Sequence, residues 1–334
     1  YRISHAGWTG VQLFFVLSGF LITGILLDSR LAKNHYSSFY VRRVLRIFPL
    51  YYGVLAITFI VLPAVGRVPA SVASDQHHQI WLWTYLTNWA PLFGAGSKTF
   101  PHFWSLAVEE QFYLVWPLLI RTRGPAGCLR LCLTVAAASL AVRCLLYWYA
   151  VPGHLIYENS FCRMDALALG GVAAAALRIP DWREKIFAAS NRFLIVGGLL
   201  FFVSMVVTRG FWTGTLAGAT VGYTLVAACF TLLLVAIVGA EANASSAWVK
   251  IFRFRPLRAL GKYSYAMYVF HKPVHDFVGQ PLLTMLDFDV SQSVLWSTAY
   301  IIIVTAITFA AALASWHVLE KHFLRLKRFF VPDG

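Results

Sequence analysis

The chain has 334 residues, of which 59% are hydrophobic and 13% are charged, and its formal net charge is +14. Soluble domains carry roughly 45–50% apolar and about 25% charged residues, so this composition excludes an ordinary soluble domain and indicates a chain solvated mostly by lipid. The basic residues lie between apolar runs, which indicates that they set membrane orientation and contact lipids rather than bind nucleic acid.

Nine apolar runs are long enough to cross a bilayer, which requires about 20 residues per helix. They predict an all-α fold, a polytopic transmembrane helix bundle, although two of the runs carry charges. The stretch 79–93 is rich in aromatic residues and is typical of a helix or loop at the level of the lipid headgroups. The nine predicted spans are 9–27, 48–66, 103–120, 131–150, 161–178, 193–209, 214–239, 263–282 and 293–316.

The basic residues divide unequally between the two sides that these spans define. One side carries 21 Lys and Arg residues and the other carries four. The positive-inside rule therefore predicts a cytoplasmic C-terminus, with Tyr1 outside. No signal peptide precedes the first span, so we expect a further helix before Tyr1 and ten spans in total. With no internal repeat visible, residues 1–334 are expected to form a single domain that lacks its first helix.

Ionisable groups inside the predicted spans are candidates for function, because charge is costly in hydrocarbon. His102, Ser105 and Glu109 recur at helical spacing, so they share a helix face that could supply or orient a general base. A structural polar network, such as Glu109 paired with a buried arginine, accounts for the same pattern. Arg163 and Asp165 are two positions apart and cannot face each other on a helix, so Arg163 is a candidate partner for Glu109.

A polar stripe runs along the predicted span 263–282. Ser264, Tyr268, His271 and His275 follow one another at helical spacing, and Pro273 is expected to bend the helix before His275. Two histidines on one face could bind a metal, but no acidic third ligand has the spacing of a metal site. We therefore expect no metal here and assign the stripe to hydrogen bonding along a substrate path.

Three arginines, Arg42, Arg43 and Arg46, lie close to the second span, with Arg42 and Arg46 on one helix face. Guanidinium groups are suited to phosphates, so this patch could bind a nucleotide or coenzyme A. Anchoring of the topology and contact with anionic lipids is the alternative.

Six stretches, in this order, resemble the integral-membrane acyltransferase family 3, which includes the O-acetyltransferases of lipopolysaccharide, peptidoglycan and other bacterial glycans. The resemblance covers essentially the whole chain, and the double-arginine and Ser-Glu-Glu-Gln signatures are specific in combination. The stretches are GVQLFFVLSGFLI at 10–22, RRVLRIFP at 42–49, FWSLAVEEQFY at 103–113, RMDAL at 163–167, YSYAMYVFH at 263–271 and SWHVLE at 315–320.

The resemblance implies ten helices in a bacterial inner membrane, with acyl-CoA as donor substrate and no permanently bound cofactor. It implies an O-acyltransferase that moves an acyl group, expected to be acetyl, from cytoplasmic acyl-CoA to a hydroxyl of an extracytoplasmic carbohydrate or lipid-linked glycan. It also implies a catalytic histidine in the first helix. His5 is the only histidine before the 10–22 motif, and its short flanking segment leads us to expect the catalytic one upstream of Tyr1.

The predicted site combines the resemblance with the residue patterns. Arg163 is expected to stabilise developing charge or to hold Glu109 in place. The main alternative is a transporter or flippase of a glycan-like substrate, whose buried charges would line a permeation path, but the arginine patch and the lack of repeats favour the enzyme. The predicted catalytic residues are Glu109, Ser105, Arg163 and His271, and the predicted donor-binding residues are Arg42, Arg43 and Arg46.

Overall fold

A computed structural model describes residues 7–242, 250–285 and 294–333. Each of the nine predicted apolar runs forms helix, and the described residues contain no β-strand, which confirms the all-α class. The expectation for His5 lies outside the described residues. The α-helices are α1 (Trp8–Asp28), α2 (His35–Ala56), α3 (Leu62–Ala64), α4 (Ala70–Asp75), α5 (Ile80–Trp83), α6 (Trp104–Ile120), α7 (Pro125–Trp148), α8 (Gly153–Glu158), α9 (Ser160–Ala176), α10 (Pro180–Ala188), α11 (Ser190–Val207), α12 (Tyr223–Ala242), α13 (Arg255–Val274), α14 (Gln280–Met285), α15 (Val294–Ser315) and α16 (Lys321–Arg325).

Turns of other helical types extend several of these helices. The π-helical turns arise where the backbone accommodates an extra residue without breaking the helix. They are Ile57–Val61, Gly218–Gly222, His275–Gly279 and Trp316–Glu320, and the 3₁₀ turns are Ala90–Phe93, Pro101–Phe103 and Leu326–Phe329.

Six helical segments of the described chain are long and apolar enough to cross a membrane, or seven if the bent pair formed by α8–α9 and α10 counts as one span. Helix α6 has only 17 residues, and α13 carries several basic residues, so neither is among them. The total of nine spans therefore stays a prediction for these two helices. The multi-pass character of the chain does not depend on them.

Helix α1 lies at the centre of the bundle and packs against α9, α12 and α6. Its contact with α9 is close because both helices place glycine there. A Cβ atom on Gly19 would lie 1.8 Å from the Leu167 carbonyl oxygen, and one on Gly170 would lie 2.0 Å from the Val16 carbonyl oxygen. Small residues of this kind let helix backbones approach each other in a membrane protein, where no hydrophobic effect drives helices together.

The segment between α3 and α6 is ordered by buried polar contacts. The Asp75 carboxylate, 1% exposed, accepts hydrogen bonds from the Ser97 hydroxyl at 2.6 Å and from the backbone N–H groups of Lys98 and Thr99 at 2.8 and 2.9 Å. Gln111 of α6 donates to the Tyr85 carbonyl oxygen at 2.9 Å. The long aromatic segment is therefore an ordered part of the fold that covers the start of α6.

Pro273 does not end its helix. Its nitrogen has no hydrogen to donate, and the chain responds by passing from α13 into the π-helical turn His275–Gly279, which restores helical geometry around the missing bond. The structure shows a change of helix type at His275, and the predicted bend before that residue stays a prediction.

Candidate active site

The three predicted donor-binding arginines lie together. Arg42, Arg43 and Arg46 line a cavity of about 700 Å³ at the end of the bundle where α2 begins. Its acidic wall residue Asp28 is held by Arg178, with N–O distances of 2.7 and 2.6 Å. Among the described residues no carboxylate forms an ion pair with any of the three arginines. The charges of Glu109 and Glu110 act on Arg43 and that of Glu320 acts on Arg46 at longer range, so the cavity presents three guanidinium groups without salt bridges in the described chain, which suits an anionic ligand.

Arg43 connects this cavity to the middle of α6. Its guanidinium carbon lies 5.0 Å from the ring centroid of Tyr113, and the Tyr113 hydroxyl donates to Oε1 of Glu109. The Ser18 and Tyr113 hydroxyl oxygens are 2.5 Å apart. Glu109 is only 4% exposed, so a buried carboxylate is held by a tyrosine one helical turn away and placed in the field of a cavity arginine.

Arg163 does not pair with Glu109, and that part of the prediction is wrong. Its Nη2 donates to Gln12 at 2.9 Å, and its guanidinium lies over aromatic rings, the nearest being Tyr223 at 4.5 Å and Tyr157 at 4.9 Å. Glu109 instead accepts a hydrogen bond from Tyr113 within α6, and the nearby positive charge is that of Arg43 from α2. The Nε and Nη1 groups of Arg163, although buried, have no hydrogen-bond partner among the described residues.

A second buried arginine, Arg143, differs from Arg163 because its guanidinium group is fully hydrogen-bonded. It forms a fully buried ion pair with Asp165 at 2.8 Å, and it also donates to the carbonyl oxygens of Thr220 and Cys162 and to the Thr224 hydroxyl. Every nitrogen of its guanidinium is engaged. Arg143 and Asp165 therefore tie α7, α9 and the start of α12 together, whereas Arg163 retains free donors.

Ser105 and His271 meet around Tyr268 at the end of the bundle where α6 begins. The Ser105 and Tyr268 hydroxyl oxygens lie 2.5 Å apart, and the Tyr268 hydroxyl also donates to the His102 carbonyl oxygen at 2.9 Å. The imidazole rings of His102 and His271 have centroids 4.4 Å apart. Neither ring nitrogen of His102 has a partner within the described chain.

The tautomer of His271 follows from its contacts. Its Nδ1 lies 2.6 Å from the Tyr268 carbonyl oxygen, which can only accept, so Nδ1 carries the hydrogen and Nε2 keeps a lone pair in the neutral ring. His271 and Tyr268 line an elongated cavity of about 1190 Å³ between α1, α13 and α15. His275 lines the same cavity, and its Nδ1 lies 2.8 Å from Oδ1 of Asp276. Within the described ranges no group of three or more His, Cys, Asp or Glu side chains could hold a metal ion.

Three contributors to this site were not predicted as such. Tyr113 stands at i+4 from Glu109 on α6, so helical spacing could have indicated that pair. Ser18 and Gln12 come from α1 and lie within the 10–22 motif, but their partners are brought to them only by the tertiary fold, so the motif does not indicate their roles.

Comparison with known proteins gives one consistent family. The sequence model of the family described as "Acyltransferase domain" matches residues 6–316. Peptidoglycan O-acetyltransferase OatA of Listeria monocytogenes is 27% identical over 333 residues, covering 95% of this chain and 51% of that protein. O-acetyltransferase OatA of Staphylococcus aureus is 28% identical over 292 residues, covering 81% and 46%. The putative peptidoglycan O-acetyltransferase YrhL of Bacillus subtilis is 29% identical over 340 residues, covering 95% and 50%.

The chain thus spans about half the length of the curated relatives it matches. No solved structure matches it.

Proposed function

The chain belongs to this acyltransferase family, and from that premise we propose that it forms the membrane part of an O-acetyltransferase of the bacterial inner membrane. The donor is acetyl-CoA at the cytoplasmic face, where the C-terminus also lies, and the acceptor is a hydroxyl of an extracytoplasmic glycan. The relatives' names make peptidoglycan, or a lipid-linked precursor of it, the first acceptor to test.

The observation that carries the proposal is the sequence of polar groups along α6. Tyr113 contacts the arginine cavity, Glu109 follows one turn earlier, Ser105 one turn before that, and His102 stands at the opposite end of the helix. An arginine of the anion-binding cavity, which contacts the middle of α6, and a pair of imidazoles at the start of α6 are thus connected by one helix. Such an arrangement suits a donor bound on one side of a membrane and an acceptor bound on the other.

Donor binding falls to the arginine cavity in this proposal. Arg42, Arg43 and Arg46 hold the phosphates of acetyl-CoA by charge-assisted hydrogen bonds, and the thioester end extends into the bundle along α6. The cofactor is a substrate here, since it leaves after each turnover.

Acyl transfer needs a base for the acceptor hydroxyl and donors for the oxyanion. His271 Nε2 has a lone pair in the neutral ring and faces the cavity between α1, α13 and α15, so it can take the proton as the hydroxyl oxygen attacks the thioester carbonyl carbon. The free N–H groups of Arg163 can stabilise the negative oxygen that forms. As the C–S bond breaks, the thiolate of coenzyme A leaves and takes up a proton. Ser105 and Tyr268 hold the ring of His271 in the orientation that this proton transfer requires.

The test is acetyl-CoA turnover by the full-length protein in membranes that contain a peptidoglycan acceptor. The variants are Arg43→Ala and Glu109→Gln, with Arg253→Ala as the control, because Arg253 pairs with Glu241 at an exposed position and does not line the arginine cavity. We expect turnover to fall at least about tenfold in both site variants, a loss of about 1.4 kcal/mol of transition-state stabilisation, and to be unchanged in the control. Acetyl-CoA left intact by the parent protein with every glycan acceptor supplied would refute the proposal.

A further inference from the structure

A fourth cation, Lys327, lies in the wall of the arginine cavity. It belongs to the 3₁₀ turn Leu326–Phe329 after α16. The helical segment Val294–Phe329 has 36 residues, which at 1.5 Å each is about 54 Å and well beyond the roughly 30 Å hydrocarbon core. Its charged end, with Lys321, Arg325 and Arg328 around Lys327, therefore projects out of the membrane on the side where α2 begins.

The last described residues are tied across the same cavity by Asn34. The Asn34 amide donates to the Val331 carbonyl oxygen at 2.9 Å, and its Oδ1 accepts from the Asp333 backbone N–H at 2.9 Å. Pro332 and Asp333 contribute to the cavity wall. One side chain at the start of α2 thus fixes the chain that carries Lys327 beside the arginines.

The charges around Lys327 are unbalanced. Burial, and then the positive charges of Arg46, Arg43 and Arg42, lower the pKa of Lys327 to about 8. In the described part of the chain no carboxylate forms an ion pair with Lys327, and of the two acidic wall residues Asp28 is held by Arg178, which leaves Asp333. Behind the wall, Glu109 and Glu110 act on Arg43 and Glu320 acts on Arg46, without forming ion pairs among the described residues. Four cations in a wall with one unpaired acidic residue form a site that is stabilised when a polyanion enters it.

We propose that Lys327 is a donor-binding residue, whose ammonium contacts a phosphate of the coenzyme A moiety while Asn34 and residues 330–333 hold it beside the three arginines. The proposal rests on the function proposed above, because it takes the ligand of the cavity to be a coenzyme A thioester. The charges of coenzyme A match the four cations in number and are opposite in sign. Coenzyme A carries a diphosphate and a separate phosphate monoester, and a phosphate monoester bears a charge of about −1.5 to −2 at pH 7.

The experiment measures coenzyme A binding to the full-length protein in lipid nanodiscs by calorimetry. Lys327→Ala is expected to raise Kd about tenfold, the loss of one charge-assisted hydrogen bond, whereas Lys327→Arg stays within about threefold of the parent. Arg328→Ala is the matched control, because Arg328 is the next residue on the same turn, is exposed, and does not line the cavity.

The pH dependence gives a second readout that needs no destabilising variant. Below pH 8 the Lys327 amine is protonated and binds phosphate, and above it the proton is lost, so the Kd of the parent should rise between pH 7 and pH 9.5. A guanidinium group is not deprotonated in proteins, so Lys327→Arg should bind with a Kd that hardly changes over that range.

The outcomes separate this inference from the proposed function. Coenzyme A binding that is lost in Arg43→Ala but unchanged in Lys327→Ala and flat with pH in the parent would overturn the role of Lys327 and leave the arginine site standing. A parent protein that does not bind coenzyme A at all would overturn both.

Discussion

Replacement of Arg163 by lysine separates a catalytic arginine from a structural one. Arg163 and Arg143 are both fully buried, and only Arg163 retains N–H groups without a partner in the described chain. Lysine keeps the positive charge at either position, so neither variant leaves an uncompensated carboxylate. The Arg163→Lys substitution removes N–H donors that have no partner in the described chain, whereas Arg143→Lys removes hydrogen bonds between helices.

The magnitudes follow from the contacts. Arg163→Lys loses one hydrogen bond to Gln12 and part of the cation–π contact with its rings, about 1–2 kcal/mol of stability, but removes oxyanion donors worth about 10²–10³ in kcat. Arg143→Lys cannot satisfy all four acceptors of Arg143 with one ammonium, which costs about 2–4 kcal/mol of stability. Its effect on the chemical step should be small.

The assay compares kcat per folded molecule with melting temperature in detergent, the folded fraction being measured by size-exclusion chromatography. Arg163→Lys should melt close to the parent and turn over at least about a hundredfold more slowly. Arg143→Lys should melt several degrees lower and keep most of its turnover per folded molecule. If Arg163→Lys retains kcat within about threefold of the parent, the assignment of Arg163 to the oxyanion is refuted.

Two further outcomes are expected. His271→Gln should lower kcat about 10²–10⁴-fold without changing the Kd for coenzyme A. The control is His275→Gln, which should change kcat little because the His275 ring bonds to Asp276. Equal losses of kcat in both variants would show that the polar stripe acts structurally. Gly170→Ala should lower the melting temperature because its Cβ would lie 2.0 Å from a backbone oxygen of α1, an overpacking cost of at least about 1–3 kcal/mol of stability. Gly198→Ala should leave the melting temperature unchanged, because no heavy atom lies within 4 Å of its Cβ. An unchanged melting temperature for Gly170→Ala would contradict the close α1–α9 contact.

Hydropathy located the helices but not all of their ends. The predicted span 48–66 lies in a helix that begins at His35, because the turns that carry Arg42, Arg43 and Arg46 are helical and face a cavity. An apolar window excludes such turns even though their backbone hydrogen bonds are complete. The same reason places the start of α13 at Arg255, eight residues before the predicted span.

The contacts between helices could not be predicted from local sequence patterns. The spacing of Ser105 and Glu109 placed both on α6 and in the interior, yet Ser105 bonds to Tyr268 and Glu109 to Tyr113. The pair of Glu109 with Arg163 was inferred from the cost of two buried charges, a sound argument that each needs a partner. It could not identify that partner, because Tyr113 offered Glu109 a hydroxyl within one turn and aromatic rings offered Arg163 their π-faces.

Unused hydrogen-bonding capacity is a property of the proposed site, and it also occurs at scaffold groups such as the Tyr85 and Thr99 hydroxyls. A buried donor without a partner costs about 1–3 kcal/mol, so a structural residue in the interior is expected to be satisfied, as Arg143 and Asp75 are. The buried groups left without partners in the described chain include His102 and Arg163, and the cations left without carboxylates lie together in the cavity beside α2. In the function proposed above, substrates with a thioester carbonyl, a hydroxyl and phosphates would supply groups complementary to these unpaired donors and cations.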